Sequence, residues 1–106
     1  MSNPYYNPEE FGLEIITDFE TEEPCWSFST VVVWRDEDNH YWLGYDSGCS
    51  CPSPFEDFTR ESLNGPYNFH EAIREMEKYV EDSYNKDYAN EEFARAVDTL
   101  ISTRKA

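Results

Sequence analysis

The sequence predicts an α+β fold: a short antiparallel β-meander of about three strands, packed on one face by two C-terminal α-helices. Two observations carry this. The run WSFSTVVVWRD, from Trp26 to Asp36, is rich in β-branched and aromatic residues and is the strongest strand signal in the chain, with HYWLGYD (His40 to Asp46) placed to pair with it across a polar turn. Downstream, two stretches space their apolar residues at the helical period and open on asparagine.

The first ten residues carry Pro4 and Pro8 without apolar periodicity, and are expected to form a flexible lead-in (1–10) to a single domain over 11–106. Gly12 to Glu20, GLEIITDFE, alternates imperfectly and is expected to be the first strand. In the second strand Trp26, Phe28, Thr30, Val32 and Trp34 share one face, and Ser27, Ser29, Val31, Val33 and Arg35 the other. A turn centred on Asp38-Asn39 pairs Trp34 with Leu43 and Val32 with Tyr45. That register puts Val32, Trp34, Tyr41, Leu43 and Tyr45 on one face, to be covered by the helices. The turn has no glycine to pin it, so a slip of one or two residues stays open.

Asn68 with Glu71 three residues on forms a capping-box start to FHEAIREMEKYVEDSY, whose stripe is Phe69, Ile73, Met76 and Val80. A second helix is expected from Asn90 through EEFARAVDTLISTRK, with Phe93, Val97, Leu100 and Ile101 inward. Both stripes are expected to be core.

The chain has 106 residues and carries 8 Lys+Arg against 23 Asp+Glu, a net charge of −15. A field of this sign repels phosphate backbones and anionic lipid, which argues against direct binding to nucleic acid or membrane. The charge is lopsided. Residues 1–57 hold 13 acids and one base, Arg35, whereas residues 58–106 hold 10 acids and 7 bases. Such a surface serves solubility, and also suits a partner with a basic surface or imitation of DNA. With no apolar run long enough to span a bilayer and no leader-like start, the expected location is cytoplasmic.

Three cysteines, an odd number, argue against a secreted disulfide scaffold. Hairpin geometry brings Cys25, Cys49 and Cys51 toward one end of the sheet, so a zinc site with His70 as fourth ligand is one expectation. Its weakness is the spacing, since Cys-x-Cys is tighter than ordinary zinc knuckles and has no second pair. His40 belongs to the opposite end. Otherwise no cofactor is implied. Nucleophilic thiol chemistry is disfavoured by Asp46, Glu56 and Asp57, which raise rather than lower a thiol pKa. SGCS, with one glycine and no following lysine, is not a phosphate-binding loop.

The segment DSGCSCPSPFED, Asp46 to Asp57, is the most unusual in the chain. Pro52 and Pro54 fix their own φ angles and push Cys51 and Ser53 toward extended backbone. Phe55 and Phe58 are expected to pin the loop onto the sheet. A rigid loop rimmed by acids loses little entropy on binding, which makes Asp46, Ser47, Gly48, Cys49, Ser50, Cys51, Pro52, Ser53, Pro54, Phe55 and Glu56 the expected partner-binding surface. An aromatic strand followed by DSGCSCPSPFE and then helices resembles a family of small acidic proteins of actinobacteriophages and related prophages. The resemblance covers Asp46 to Glu56 closely, and Trp26 to the helices loosely. It implies a phage protein at work inside a bacterial host, and implies no activity. The expectation is therefore a non-enzymatic protein that acts by protein–protein interaction as an inhibitor or adaptor. A zinc-stabilised module built on Cys25, Cys49 and Cys51 is the alternative.

Overall fold

The structure, a computed structural model, describes residues 3–22, 27–49, 55 and 58–104. Four strands form one antiparallel sheet in sequential order: β1 (Leu13–Glu20), β2 (Ser27–Asp36), β3 (Tyr41–Cys49) and β4 (Asn64–Tyr67). Two helices follow, α1 (Phe69–Glu81) and α2 (Lys86–Thr103). The α+β expectation holds, with one strand more than anticipated. β4 has the sequence NGPY, whose glycine and proline signal a turn rather than a strand. It survives as a short edge strand beside Tyr41 and Leu43.

The hairpin register differs from the expected one by a single residue. Trp34 pairs with Trp42, Val32 with Gly44 and Val31 with Tyr45. A slip of one exchanges faces. Tyr41, Leu43 and Tyr45 therefore join Val31 and Val33, not Val32 and Trp34. The turn explains this. Asp36 N–H donates to His40 O, and Asn39 takes a left-handed φ of 64°. These close a three-residue loop around Glu37 to Asn39 in place of the expected two-residue turn.

The helices cover the Val31, Val33 and Leu43 face. Phe19, Ala72, Met76, Val80, Ala89, Ala96 and Leu100 complete that core, with α2 along β1 and α1 over β3. The α1 cap forms as expected: Asn68 Oδ1 accepts from Glu71 N–H at 2.8 Å and Glu71 Oε1 from Asn68 N–H at 3.0 Å. α2 begins a turn earlier than expected. Asn85, not Asn90, caps it by accepting from Tyr88 N–H, and Ile101, expected inward, is exposed.

The opposite face has its own core of Leu13, Val32, Trp34, Phe55 and Leu63, with Tyr5, Phe11, Ile15, Trp42 and Phe58 packed around it. No helix covers it. The covering comes from the N-terminal segment and the chain between β3 and β4. The expected loose lead-in is in fact packed: Asn3 and Pro4 are buried, and Trp34 Nε1 donates to Pro4 O at 2.8 Å. Residues 8–11 form a 3-10 turn, which Gly12 ends at a φ of 70°.

One irregularity lets β1 serve both cores. The pairing shifts between Ile15 and Thr17, so Leu13 and Ile15 face the aromatic core while Thr17 and Phe19 face the helices. That bulge is why GLEIITDFE alternates imperfectly. Gly44 answers a different constraint. A Cβ there would sit 2.9 Å from Trp34 Cζ3 and 3.2 Å from Leu63, so the indole lies where a side chain would be.

Candidate functional site

The segment singled out in the sequence is anchored at both described ends. Asp46 Oδ2 accepts from the Phe55 N–H at 2.7 Å, and Oδ1 from the Ser47 N–H at 3.0 Å. Phe55, at a φ of 62°, is fully buried and packs edge-on against Trp34 and Phe58, at 5.8 and 4.7 Å between ring centroids. Phe55 and Phe58 thus pin the segment as anticipated. Of the expected binding surface, Asp46 and Phe55 hold the chain together. Ser47 is exposed and Gly48 half-buried. Ser50, Cys51, Pro52, Ser53, Pro54, Glu56 and Cys25 lie outside the described residues, as does the Cys49 side chain.

The Cys49 backbone pairs with Ser27, which carries the ladder to within two residues of Cys25. His70 sits elsewhere. It opens α1 beside Phe69, whose ring meets Tyr41 at 6.1 Å, and Tyr41 is the far end of β3 from Cys49. The strand rise separates those ends by about 26 Å, so His70 is not placed to complete a site with Cys49.

Polar and charged side chains gather instead at the β2–β3 turn. Asp36 organises it: Oδ1 accepts from the Asp38 and His40 N–H groups, each at 2.9 Å, and Oδ2 from Trp42 Nε1 at 2.9 Å. Burial pushes the Asp36 carboxyl up. The indole, the two amides and nearby His40 outweigh it and hold the pKa below the ordinary 3.8. Asp36, Asp38 and His40 present ligand atoms within 4.8 Å of one another, but Asp36 is already committed to the turn. Arg60 straps this region down. It donates to Phe11 O at 2.7 Å, lies 4.5 Å over the Trp42 ring, and approaches Asp36 at 3.8 Å.

Arg35, the one base of residues 1–57, is buried at the same end. Its guanidinium donates to Glu14 Oε1 and to Thr103 O, each at 2.8 Å, tying β1, β2 and the C-terminus of α2 together. Surface grooves lie to either side. One, of about 310 Å³, is lined by Glu9, Glu14, Asp36 and Glu37 with Arg35 at its floor. The other, of about 240 Å³, is lined by Arg35, His40, Tyr41, Asn68, Phe69 and Arg104, with Asp38 on its rim. Sequence reasoning found the acidic excess of the N-terminal half but not this convergence. Glu9, Glu14 and Glu37 come from three separate segments, and only the sheet order joins them.

Among the described residues, no helix is long and apolar enough to cross a membrane. No curated protein and no solved structure matches this chain. A family model described as a domain of unknown function (DUF7574) matches residues 2–106, and the chain belongs to that family.

Proposed function

We infer that the protein is a non-enzymatic interaction module that binds a partner with a basic surface, with the acidic groove beside the β2–β3 turn as a contact. The observation that carries this is the convergence of Glu9, Glu14, Asp36 and Glu37 on one groove whose single base, Arg35, is already neutralised by Glu14. The field left over attracts cations and steers a basic partner toward that end of the molecule. The resemblance to actinobacteriophage proteins supports reading the module as one that works in the cytoplasm of a bacterial host, on a host or phage protein, as an inhibitor or adaptor. A DNA-mimicking inhibitor is the narrower version of the same reading. The described part of the Asp46–Glu56 segment that is not enclosed, Ser47 and Gly48, lies toward the other end of β3 and is a second candidate contact.

Affinity capture from host lysate tests the idea. A partner with a basic surface should be retained in low salt, released as salt rises, and retained less by the double variant Glu9→Gln/Glu37→Gln, which leaves the Arg35 pair intact. Retention indifferent to both salt and the double variant sinks the proposal. For the DNA-mimic version, duplex DNA should compete for the captured protein.

The zinc reading keeps one observation in its favour, the pairing of Cys49 with Ser27 close to Cys25. His70 drops out, so any fourth ligand is another group or water. Elemental analysis of protein purified without chelators decides it: stoichiometric zinc that disappears in Cys49→Ser supports the site, and zinc-free protein ends it.

A further inference from the structure

The β4 edge of the sheet sets an asparagine beside a glycine in an unusual seat. Asn64 and Gly65 are both exposed. Leu43 pairs with Asn64 and Tyr41 with Tyr67, so Gly65 and Pro66 together face Trp42 and the ladder is interrupted there. The seat admits only glycine. A Cβ on residue 65 would lie 2.9 Å from Tyr41 O and 3.0 Å from the Trp42 ring, at a φ of 150° that side chains avoid. With no side chain of its own, a glycine has the least hindered nitrogen in a main chain, and here it follows an asparagine.

Every other asparagine is protected by its setting. Asn3 and Asn7 precede prolines, whose nitrogens carry no proton to lose. Asn39 precedes His40, whose N–H is held by Asp36 Oδ1 at 2.9 Å. Asn68 and Asn85 are helix caps, their side-chain oxygens occupied by the Glu71 and Tyr88 N–H groups. Asn90 lies inside α2, where the next N–H belongs to a helical turn. Asn64 alone has an exposed carboxamide beside a glycine nitrogen at a break in the ladder.

We propose that Asn64–Gly65 is a site of spontaneous deamidation that converts Asn64 to isoaspartate in the folded protein. The Gly65 nitrogen loses its proton to solvent base and attacks Asn64 Cγ. The N–Cγ bond forms, the Cγ–Nδ2 bond breaks, and the side-chain nitrogen takes up a proton and leaves as ammonia, giving a cyclic imide. Water then opens the ring. Opening at Cγ leaves an aspartate. Opening at the main-chain carbonyl leaves an isoaspartate, in which the chain runs through Cβ and Cγ and is longer by a backbone atom. Neither step needs an enzyme, an oxidant or a cofactor. The lengthened chain cannot keep the close seat of Gly65 against Tyr41 O and the Trp42 ring. Trp42 Nε1 donates to Asp36 Oδ2 and its ring carries Arg60, so a change at β4 is passed on to the β2–β3 turn.

Peptide mapping by mass spectrometry, after the folded protein has stood in warm neutral buffer, tests this. The peptide containing Asn64 should gain the mass of an amide-to-acid exchange before any other asparagine peptide, and more slowly in mild acid. Its product should be mostly isoaspartate, which an isoaspartyl methyltransferase labels. The folded rate should lie within about tenfold of the rate in urea, because an exposed, interrupted edge needs no global unfolding to react. Asn64→Gln, which could cyclise only through a larger ring, should stay unmodified over the same time. In the aged protein the Trp42 indole N–H resonance should move, while that of Trp34, bonded to the Pro4 carbonyl, stays in place. Asn64→Asp, which adds the charge without lengthening the chain, should move it less. Reaction confined to urea, or Asn39 reacting before Asn64, would overturn the site. A Trp42 resonance unmoved in the isoaspartyl form, or moved as far by Asn64→Asp, would overturn the transmission to the turn.

Discussion

The two faces of the sheet are closed by different kinds of chain. On one, α1 and α2 lay periodic apolar stripes over Val31, Val33 and Leu43. On the other, irregular segments separated by tens of residues bring Pro4, Tyr5, Phe11, Phe55 and Leu63 over Trp34. Both faces carry large rings, Phe19, Tyr41, Phe69 and Phe93 under the helices and Trp34, Trp42, Phe55 and Phe58 opposite; what differs is the backbone that closes them. A helix satisfies its own backbone, so its side chains need only fit. An irregular segment must find a partner for each buried polar group, and here Asp46 and the Trp34 indole provide them. Stability on that face is thus concentrated in few residues, which makes it the more brittle of the two.

Paired truncations probe this most strongly. Phe55→Ala is expected to cost about 3–5 kcal/mol in denaturant unfolding, at least matching the roughly 2–5 kcal/mol of Met76→Ala on the helical face. A Phe55→Ala cost below about 1 kcal/mol, well under the usual range for a buried ring, would show the aromatic face to be peripheral. Asp46→Ala should come next, at about 1.5 kcal/mol, the low end for a hydrogen bond to a charged group because Asp46 is half-exposed. Its signature is a loop more open to protease cleavage, with the helices unaffected. Asn68→Ala removes the α1 cap and should cost about 1 kcal/mol, read in the same unfolding experiment. Should Asn68→Ala cost more than Asp46→Ala, the order of fragility is reversed.

The smallest effect is acid dependence at the β2–β3 turn. The Asp36 pKa is lower in the folded chain than its ordinary 3.8. Its contribution is therefore complete above that value and is lost as pH falls through the lower, folded value. Asp36→Asn should flatten stability against pH below about 4 and leave its slope near neutrality unchanged. An unaltered acid limb in the variant would assign the dependence to other carboxylates.

The same contrast governs what could be read in advance. The helical layer was legible because period and cap are local: Asn68, Glu71 and the stripe through Met76 lie within one short stretch. The irregular layer was not, since nothing near Pro4 announces that its carbonyl will meet an indole thirty residues on. The register failed for a local reason. Asp36 and Asn39 mark a three-residue loop, the asparagine taking the left-handed position and the aspartate collecting the amides, and that signal was present without a glycine to advertise it. β4 was hidden by its own glycine and proline. Of the site, the acidic excess was visible as composition, but its focus depends on the fold that brings Glu9, Glu14, Asp36 and Glu37 together.

The hydrogen bond from Trp34 to Pro4 gives the molecule an optical handle. Trp34 is fully enclosed among Val32, Phe55 and Leu63, whereas Trp42 is partly exposed beneath Arg60. An indole in a dry aromatic pocket emits at shorter wavelength than one in contact with water. Undocking of the first residues would flood that pocket and move its emission to the red while the helices stayed folded, so far-ultraviolet circular dichroism would not register it. Fluorescence recorded beside circular dichroism would thus separate loss of the N-terminal strap from loss of the fold.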